Sequence, residues 1–370
     1  MRLDELETPV PVVDLDVLER NLDNLARFTA EIGVGLRPHT KTHKSPRIGT
    51  EQIRRGAVGL TCATPREAEV MADVTDDILV AYPPVGEARL RRLMALPRHV
   101  KLMVALDSAA SIEGLAAAAR AAERPVRVLV EVDLGMHRVG VGTVEEAIAL
   151  AKLIREREPL EYAGIAFYPG HLRQPLADQA EGLAAVGSAL ESWLAALDKA
   201  GVRPAIVSGG STPTIFQTAQ MAGATEIRPG TYVYNDREIV SIGSVAREDC
   251  ALTVLATVVS TAVPGQAVID AGTKALGREP LRVGAGQGFG ELLDRPEVTV
   301  KGMSEEHGIL DLSRTSWKPE VGERVRIIPN HVCIVTHLND FVYGIRDDQV
   351  ETTWPIVACG RRAGRRALSA

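Results

Sequence analysis

The sequence lacks the long apolar runs and the dense cysteines that are typical of membrane and small secreted proteins. No apolar run approaches the length of a membrane-spanning helix, and the segment Met1–Glu5 is acidic and has no apolar core. These absences argue against a signal peptide and against membrane insertion. The four cysteines, Cys62, Cys250, Cys333 and Cys359, are scattered along the chain. We therefore expect free thiols or a ligand rather than disulfides, and we predict a cytoplasmic protein.

Clustered positive charge is also scarce. The formal net charge is -6, and the basic blocks are confined to Arg361-Arg362 and Arg365-Arg366, which we interpret as a solvated end. A nucleic-acid-binding surface needs a basic patch or stripe. The sequence therefore predicts neither a nucleic-acid partner nor a membrane partner.

The chain has enough apolar residues for a core, and its predicted strands and helices alternate regularly. Of its 370 residues, 45% are hydrophobic, which suffices for one large domain and a smaller one. Up to about residue 235, apolar strand-like runs alternate with amphipathic stretches. The predicted strands are Val34–Leu36, Ala57–Cys62, Asp77–Tyr82, Lys101–Leu106, Val126–Val132, Tyr162–Phe167, Ala205–Val207 and Thr225–Arg228. The predicted helices between and before them include Leu15–Ile32, Pro65–Val74, Ser108–Glu123, Val144–Arg157 and Asp178–Ala200.

Eight β/α units within roughly 220 residues have the count and size of a (β/α)8 barrel of the TIM type. An open, doubly wound parallel sheet is the alternative. After about residue 240 the runs become short and β-rich, without long helices between them. They are Ala251–Thr261, Gln266–Asp270, Arg324–Ile328, Val332–Val335, Phe341–Ile345 and Gln349–Val357. We predict an α/β fold with a barrel over residues 15–240 and a C-terminal β-rich domain over 241–370, which residues 1–14 join through the strand-like Thr8–Asp14.

The ends of the predicted barrel strands are the place to look for chemistry, because barrels carry their reactive groups there. The first strand is followed by Arg37-Pro38-His39-Thr40-Lys41-Thr42-His43-Lys44 and then by Ser45-Pro46, a helix start. We take Lys41 as the chemical centre and His43 as a candidate base, with Lys44 as the rival lysine. A solvated basic loop is the alternative interpretation.

The last two strand ends favour a phosphate. Glycine-rich turns that expose backbone N–H groups suit an anion, and barrels often hold a phosphate after strands seven and eight. The candidates are Ser208, Gly209, Gly210, Ser211 and Thr212 after one strand, and Gly230, Thr231 and Tyr232 after the other. Ser-Gly-Gly-Ser is also a common flexible turn. A lysine on the first strand and a phosphate site on the last two suggest pyridoxal 5'-phosphate. The lysine must lose a proton to attack the cofactor's aldehyde, and positive neighbours such as Arg37, His43 or Lys44 would favour that loss.

Three motifs together resemble the D-threonine aldolase and D-serine dehydratase family of fold-type III pyridoxal phosphate enzymes. They are the octapeptide around Lys41, the run Asp133-Leu134-Gly135-Met136-His137-Arg138-Val139-Gly140, and Pro329-Asn330-His331-Val332-Cys333. The resemblance extends from Thr8 to Gly360 and implies an alanine-racemase-like barrel with a C-terminal β domain. It implies that Lys41 is the Schiff-base lysine, that Arg138 lies beside the cofactor ring, that Tyr168 lines the pocket and that the two glycine-rich turns hold the phosphate. A homodimer is implied as well.

His331 and Cys333 can also be considered from their chemistry. On a strand, residues two apart point to one face, so both side chains would reach one metal ion. Read alone, the pair is more typical of a buried histidine beside a buried thiol, because two ligands make a weak motif. The resemblance favours a divalent metal that binds the substrate's β-hydroxyl. His307 and Asp270 are further pocket candidates.

The resemblance implies a lyase that acts on D-3-hydroxy amino acids, by one of two routes. β-Elimination gives a keto acid and ammonia, whereas retro-aldol cleavage gives glycine and an aldehyde. The family's aldolases carry His-x-Asp, which suits manganese or magnesium, and its dehydratases carry His-x-Cys, which suits zinc. Cys333 therefore favours dehydration of the D-serine type, with D-threonine aldolase as the alternative. An amino-acid racemase is a further alternative, because residues 133–140 resemble the alanine racemase motif, and a cofactor carrier is the non-enzyme alternative.

Overall fold

The structure is a computed structural model that describes residues 1–283 and 287–359. The arginine pairs Arg361-Arg362 and Arg365-Arg366 lie outside the described residues. The first strand, β1 (Val10–Asp14), leads directly into α1 (Leu15–Glu31), whose first turn is capped by Asp14 through a 3.0 Å hydrogen bond from Val17 N–H.

Eight parallel strands form the N-terminal sheet, in the order β2-β9-β8-β7-β6-β5-β4-β3. They are β2 (Gly35–Leu36), β3 (Leu60–Cys62), β4 (Asp77–Val80), β5 (Lys101–Leu106), β6 (Val126–Glu131), β7 (Leu160–Ala166), β8 (Ile206–Gly209) and β9 (Glu226–Ile227). The two ends of this order meet, because His39 bridges to Thr61 in parallel register and Thr40 N–H donates to the Thr61 carbonyl at 2.8 Å. The predicted barrel is thus confirmed, and the open sheet is excluded.

Helices surround the barrel. They are α1, α2 (Pro46–Arg54), α3 (Pro65–Met71), α4 (Glu87–Met94), α5 (Ala109–Ala121), α6 (Val144–Arg155), α7 (Ala180–Lys199) and α8 (Arg237–Ile242). Side-chain caps begin several of them, as at Thr64, Ser108 and Thr143, which accept backbone N–H bonds from the first turn. Because helices cover the outside and side chains fill the inside, β5 and β6 are buried on both faces. That burial explains the nearly continuous apolar runs by which these strands could be predicted.

The barrel interior is part apolar and part ionic. Leu79, Met103 and Leu129 belong to an apolar interior cluster. Beside it, Arg37 is buried and donates to Glu226 at 2.9 Å and to Asp77 at 2.6 Å. Gly59 allows this, because a Cβ there would collide with the Arg37 guanidinium. The ion cluster ties β9 and β4 to the residue that follows β2.

Within the described residues, the second sheet has nine strands, eight of them from the C-terminal part of the chain. These are β10 (Leu252–Ser260), β11 (Gln266–Ile269), β12 (Gly290–Leu292), β13 (Val300–Met303), β14 (Gly308–Asp311), β15 (Arg324–Pro329), β16 (Phe341–Arg346) and β17 (Gln349–Pro355). The ninth is β1, which pairs antiparallel with β10 and parallel with β16. Two short helices, α9 (Thr273–Leu276) and α10 (Val332–Leu338), complete this part.

One predicted strand is wrong. Val332–Val335 is β-branched and apolar but begins α10. The helix is fixed from outside its own sequence, because Val332 N–H donates to Asp236 at 3.1 Å and the Thr336 hydroxyl donates to the Thr42 carbonyl at 2.5 Å. Tertiary hydrogen bonds thus override the local preference for a strand.

Among residues 1–283 and 287–359, no helix combines the length and the apolar character that crossing a membrane requires.

Candidate active site

A cavity of about 440 Å³ opens at the carboxyl ends of the barrel strands. Both domains contribute to its walls. Lys41 and Arg138 follow strands of the barrel, whereas His331 and Cys333 follow β15 of the C-terminal sheet. The cavity therefore brings together Lys41, Arg138, Tyr168, Gly210, Ser211, Thr212, Gly230, Thr231, His331 and Cys333 from the predicted site residues.

Lys41 and Lys44 differ in where their amines lie. Lys41 is exposed to the cavity, with Nζ 6.0 Å from the centre of the Tyr168 ring. Lys44 is buried, and its Nζ lies 2.7 Å from a carboxylate oxygen of Glu67. A buried ion pair fixes Lys44 as a structural residue, which leaves Lys41 as the lysine that can react.

His43 does not lie at the cavity. Its ring is buried, and Nδ1 accepts from Ser45 N–H at 3.2 Å. Burial, and to a lesser degree the charge of Lys44, lowers its pKa from 6.5 to about 3. His43 is thus a neutral structural histidine, and its predicted role as a base is corrected. Arg37 is likewise held in the barrel interior, so neither it nor Lys44 supports Lys41 as predicted.

Arg138 and Tyr168 form one wall of the cavity. The Arg138 guanidinium lies 5.0 Å from the centre of the Tyr168 ring, in cation–π contact. At the hydroxyl of the same ring, Arg173 Nη2 donates to the Tyr168 oxygen at 3.3 Å. Burial favours the neutral phenol, but the charges of Lys41, Arg173 and Arg138 outweigh it and lower the pKa of Tyr168.

The glycine-rich turns after β8 and β9 provide backbone donors. Among the described residues, the backbone N–H groups of Gly210, Ser211, Thr212 and Thr231 take part in none of the hydrogen bonds, although all four residues line the cavity. Gly210 has φ +81°, and a Cβ there would lie 3.0 Å from Ile227 Cγ2. A turn with several unused donors is the arrangement that suits a phosphate.

Three predicted phosphate ligands lie elsewhere. The Ser208 hydroxyl is buried and donates to Glu226 at 2.6 Å. Gly209 packs against the Phe167 ring, and the buried Tyr232 hydroxyl accepts from Gln52 Nε2 at 3.0 Å. Ser208, Gly209 and Tyr232 pack against the turns on the side away from the cavity and do not line it. The prediction that they contact the cofactor is therefore corrected.

His331 and Cys333 face the cavity from the start of α10, not from a strand. His331 is the N-cap residue, and Cys333 lies in the first helical turn. Asp236, which is fully buried, accepts from His331 Nδ1 at 2.9 Å and thereby leaves Nε2 for a ligand. The two side chains still converge, because both line the same cavity, where Cys333 Sγ lies 3.2 Å from the Thr42 hydroxyl.

The charges of the two groups stabilise each other. Burial opposes the charged imidazole, but Cys333 and Asp236 raise the pKa of His331 to about 11. Burial also opposes the Cys333 thiolate, yet His331 and Lys41 lower its pKa. The described residues offer no group of three or more metal ligands. A metal ion here would therefore take two protein ligands, one nitrogen and one sulfur, and leave open positions.

Several polar residues of the cavity were given no role by the sequence, among them His39, Glu131 and Arg228. Glu131 ends β6 with 6% of its surface exposed, and its Oε2 has no hydrogen-bond partner among the residues that the structure describes. Arg228 is buried and donates to the Ser208 and Phe167 carbonyls at 2.6 Å and 3.0 Å. Their position at strand ends is the signal that would have found them. Asp236 gives no such signal, because its partner His331 is 95 residues away.

The two remaining candidates do not line the cavity. Asp270 accepts from Thr257 N–H at 2.8 Å and from the Thr8 hydroxyl at 2.5 Å, so it connects the β domain to the start of the chain. His307 is exposed on the turn before β14.

Comparison with known proteins agrees with this architecture. Residues 13–238 match the family described as "Alanine racemase, N-terminal domain", and residues 251–345 match "Putative serine dehydratase domain". A D-threonine aldolase of Arthrobacter sp is 32% identical over 97% of this chain and 94% of its own. A D-threo-3-hydroxyaspartate dehydratase of Delftia sp. (strain HT23) is 34% identical over 89% of this chain and 91% of its own. The crystal structure of D-threonine aldolase from Filomicrobium marinum superposes with a TM-score of 0.89 at 32% identity, over 97% of each chain.

Proposed function

Because this chain belongs to the D-threonine aldolase and D-serine dehydratase family of fold-type III pyridoxal phosphate lyases, we propose that it is a metal-assisted lyase of D-3-hydroxy amino acids. The favoured reaction is dehydration of the D-serine type. The observation that carries the proposal is that one cavity holds a free lysine amine, a turn of unused backbone donors and a histidine–cysteine pair. We also infer a homodimer in the cytoplasm.

The residues present fit pyridoxal 5'-phosphate. The N–H groups of the two glycine-rich turns would hold its phosphate, Lys41 would join its aldehyde, and Arg138 with Tyr168 would flank its ring. When bound, the cofactor supplies an electron sink for the electrons released at the substrate's Cα. Lys41 is the amine that lies free in this cavity, so we assign to it the removal of the Cα proton.

The residues also fit a divalent metal, and the donor set favours zinc. One imidazole nitrogen, oriented by a buried carboxylate, and one thiolate are borderline-to-soft ligands, whereas manganese and magnesium prefer oxygen. A divalent cation there supplies a Lewis acid for the substrate's β-hydroxyl. His331 and Cys333, which come from the C-terminal domain, would hold it at the cavity wall, whereas Lys41 comes from the barrel.

Two outcomes are chemically open to such a site. Removal of the Cα proton with loss of the β-hydroxyl leads, after hydrolysis, to a keto acid and ammonia. Removal of the hydroxyl proton with cleavage of the Cα–Cβ bond gives glycine and an aldehyde. Cys333 favours the first, because it gives the His-x-Cys pair of the family's dehydratases. The similarity to D-threonine aldolases over 97% of the chain keeps cleavage as the second candidate.

The test is incubation of the holoenzyme with D-serine and D-threonine, with and without EDTA, and with L-serine as the stereochemical control. Pyruvate from D-serine and 2-oxobutanoate from D-threonine would support dehydration. Glycine and acetaldehyde from D-threonine, without keto acid, would support the aldolase instead. Activity that EDTA leaves intact would contradict the metal assignment, and turnover of L-serine alone would contradict the substrate class.

The histidine–cysteine pair itself can be tested by Cys333→Asp. This variant has the ligand pair of the family's aldolases, and we expect its activity to be restored better by manganese than by zinc. If the variant keeps the wild-type preference for zinc, Cys333 is not a metal ligand.

A further inference from the structure

The loop between β6 and α6 carries Arg138 and is closed at its base by two backbone hydrogen bonds. Asp133 N–H donates to the Val141 carbonyl at 2.9 Å, and Val141 N–H donates to the Glu131 carbonyl at 3.0 Å. Residues 133–140, which we call the Arg138 turn, therefore begin and end at the rim of the barrel. The position of Arg138 depends on how the chain folds between these two points.

One carboxylate organises the inside of the Arg138 turn. Asp133 Oδ1 accepts from Gly135 N–H at 2.9 Å and from His137 N–H at 3.0 Å. Asp133 Oδ2 accepts from the same His137 N–H at 3.0 Å and lies 2.9 Å from His137 Nδ1. Burial opposes the charged carboxylate, but these hydrogen bonds from His137 and Gly135 lower the pKa of Asp133. The carboxylate is thus an anion that gathers the donors of the turn around it.

The backbone of the Arg138 turn requires such support. Gly135 has φ +116° and His137 has φ +53°, both in the left-handed region. A residue other than glycine is uncommon there and persists where the surrounding structure holds it. Asp133 holds His137 through both its N–H and its ring, and Arg138 is the next residue. The same hydrogen bonds that stabilise the unusual backbone therefore fix the point from which the Arg138 side chain starts.

The Arg138 side chain has no comparable anchor of its own. Among the residues that the structure describes, its guanidinium makes no hydrogen bond and no ion pair, and it contacts the Tyr168 ring, 5.0 Å from the ring centre. Arg228, which lines the same cavity, donates instead to the Ser208 and Phe167 carbonyls. Because an arginine side chain has many rotamers, an unanchored one is placed mainly by its backbone.

We infer that Asp133 is a positioning residue, which places Arg138 beside the cofactor ring through the fold of the Arg138 turn. The inference rests on the proposed function, in which Arg138 and Tyr168 flank the ring of pyridoxal 5'-phosphate. Within the described part of the chain, Asp133 does not line the cavity. It therefore acts on the cofactor through Arg138, and its removal should cost the binding that Arg138 contributes and no more.

The experiment is a double-mutant cycle on the dissociation constant of pyridoxal 5'-phosphate, measured by cofactor titration without substrate. Asp133→Ala and Arg138→Ala should each raise this constant about tenfold, the usual effect of losing one charge-assisted contact. The double variant should bind the cofactor as weakly as Arg138→Ala and no more weakly, because the two residues act in series. The visible circular dichroism of the bound cofactor should change in the same way in both single variants.

Two further variants complete the design. Asp133→Asn should weaken cofactor binding less than Asp133→Ala, because the amide oxygen can still accept from the Gly135 and His137 N–H groups. If Asp133→Ala fails to fold, the same cycle is measured with Asp133→Asn. The matched control is Asp311→Ala, because Asp311 also accepts from the N–H two residues on, that of Ser313, at 3.0 Å, but lies in the C-terminal domain and does not line the cavity. Its cofactor affinity should equal that of the wild type.

Two results would overturn the inference. One is a double variant that binds the cofactor about a hundredfold more weakly than the wild type, the product of two independent tenfold losses. The other is a folded Asp133→Ala variant with wild-type cofactor affinity. Failure of the proposed function gives a different result, because a wild type that binds no cofactor would overturn both, whereas cofactor binding with independent losses overturns the inference alone.

Discussion

The imidazole of His331 is joined to the carboxylate of Asp236 by a 2.9 Å hydrogen bond between Nδ1 and Oδ2. The same carboxylate accepts from Val332 N–H at 3.1 Å, and its other oxygen caps α8 through Ile239 N–H at 3.1 Å. Asp236 therefore fixes the start of α10, the start of α8 and the ring nitrogen, Nδ1, through which His331 is held. A carboxylate behind a histidine ligand also makes the ligand more basic.

We predict that Asp236→Asn weakens metal binding about tenfold to a hundredfold, the usual effect of removing such a carboxylate. The measurement is zinc affinity by competition with a chromophoric chelator. Asp14→Asn is the control, because the Asp14 carboxylate also caps a helix, α1, but among the described residues it is not hydrogen-bonded to a histidine. Equal zinc affinity in Asp236→Asn and wild type would show that the hydrogen bond serves only the fold.

Substitution of the two neighbouring lysines, Lys41 and Lys44, should have different effects on cofactor binding and on stability. Lys41→Ala should remove the visible absorbance of the bound cofactor and the borohydride-trapped adduct, because this lysine provides the free amine in the cavity. Lys44→Met should keep both but lower the free energy of unfolding by about 3 kcal/mol, since it leaves the buried Glu67 carboxylate without its partner. Peptide mapping of the trapped adduct and urea denaturation are the measurements. An adduct on Lys44 would reverse the assignment.

The contrast between predicted and observed elements has a physical reason. Lys101–Leu106 could be predicted because a strand buried on both faces must be apolar throughout. Val332–Val335 has the same kind of composition, yet it is helical because Asp236 and Thr42 hydrogen-bond to its segment from other parts of the chain. Local sequence cannot encode such partners.

The residues of the candidate site also divide into those that the sequence could predict and those that depend on tertiary structure. Lys41 and the turn around Gly210 could be predicted because strand ends meet at one rim of a barrel. Arg138 could be predicted because residues 133–140 resemble a motif of the family. The exclusion of His43 from that rim could not, because it depends on the direction in which one side chain leaves the loop. His43 is buried two residues from Lys41, which is exposed to the cavity.

The burial of His43 should make stability depend on pH. Its pKa is lowered from 6.5 to about 3 in the folded state, so between these values the unfolded chain binds a proton that the native chain excludes. The stabilisation is complete above pH 6.5 and is lost as the pH falls. From pH 7 to pH 4.5 the wild type should lose about 2 kcal/mol more than His43→Gln.

Urea denaturation of both proteins at the two pH values measures this difference. Carboxylates that titrate in the same range contribute equally to both proteins, so the comparison isolates His43. Parallel loss of stability in the two proteins would mean that His43 is protonated in the native state.

The glycine-rich turn after β8 provides the last prediction, which separates residues that contact the phosphate from residues that support them. Gly210 has φ +81° and a Cβ there would lie 3.0 Å from Ile227 Cγ2, so Gly210→Ala must distort the turn. We expect the dissociation constant of pyridoxal 5'-phosphate to rise about tenfold, in line with roughly 1–2 kcal/mol of backbone strain.

Ser208→Ala is the matched variant, two residues earlier. Its hydroxyl contacts Glu226 and Arg228 at 2.6 Å inside the barrel and does not line the cavity. Its loss should lower the free energy of unfolding by about 1–2 kcal/mol while cofactor affinity stays within about twofold. Cofactor titration and urea denaturation of both variants give the two numbers. If Ser208→Ala weakens cofactor binding as much as Gly210→Ala does, the phosphate lies deeper in the barrel than the unused backbone donors indicate.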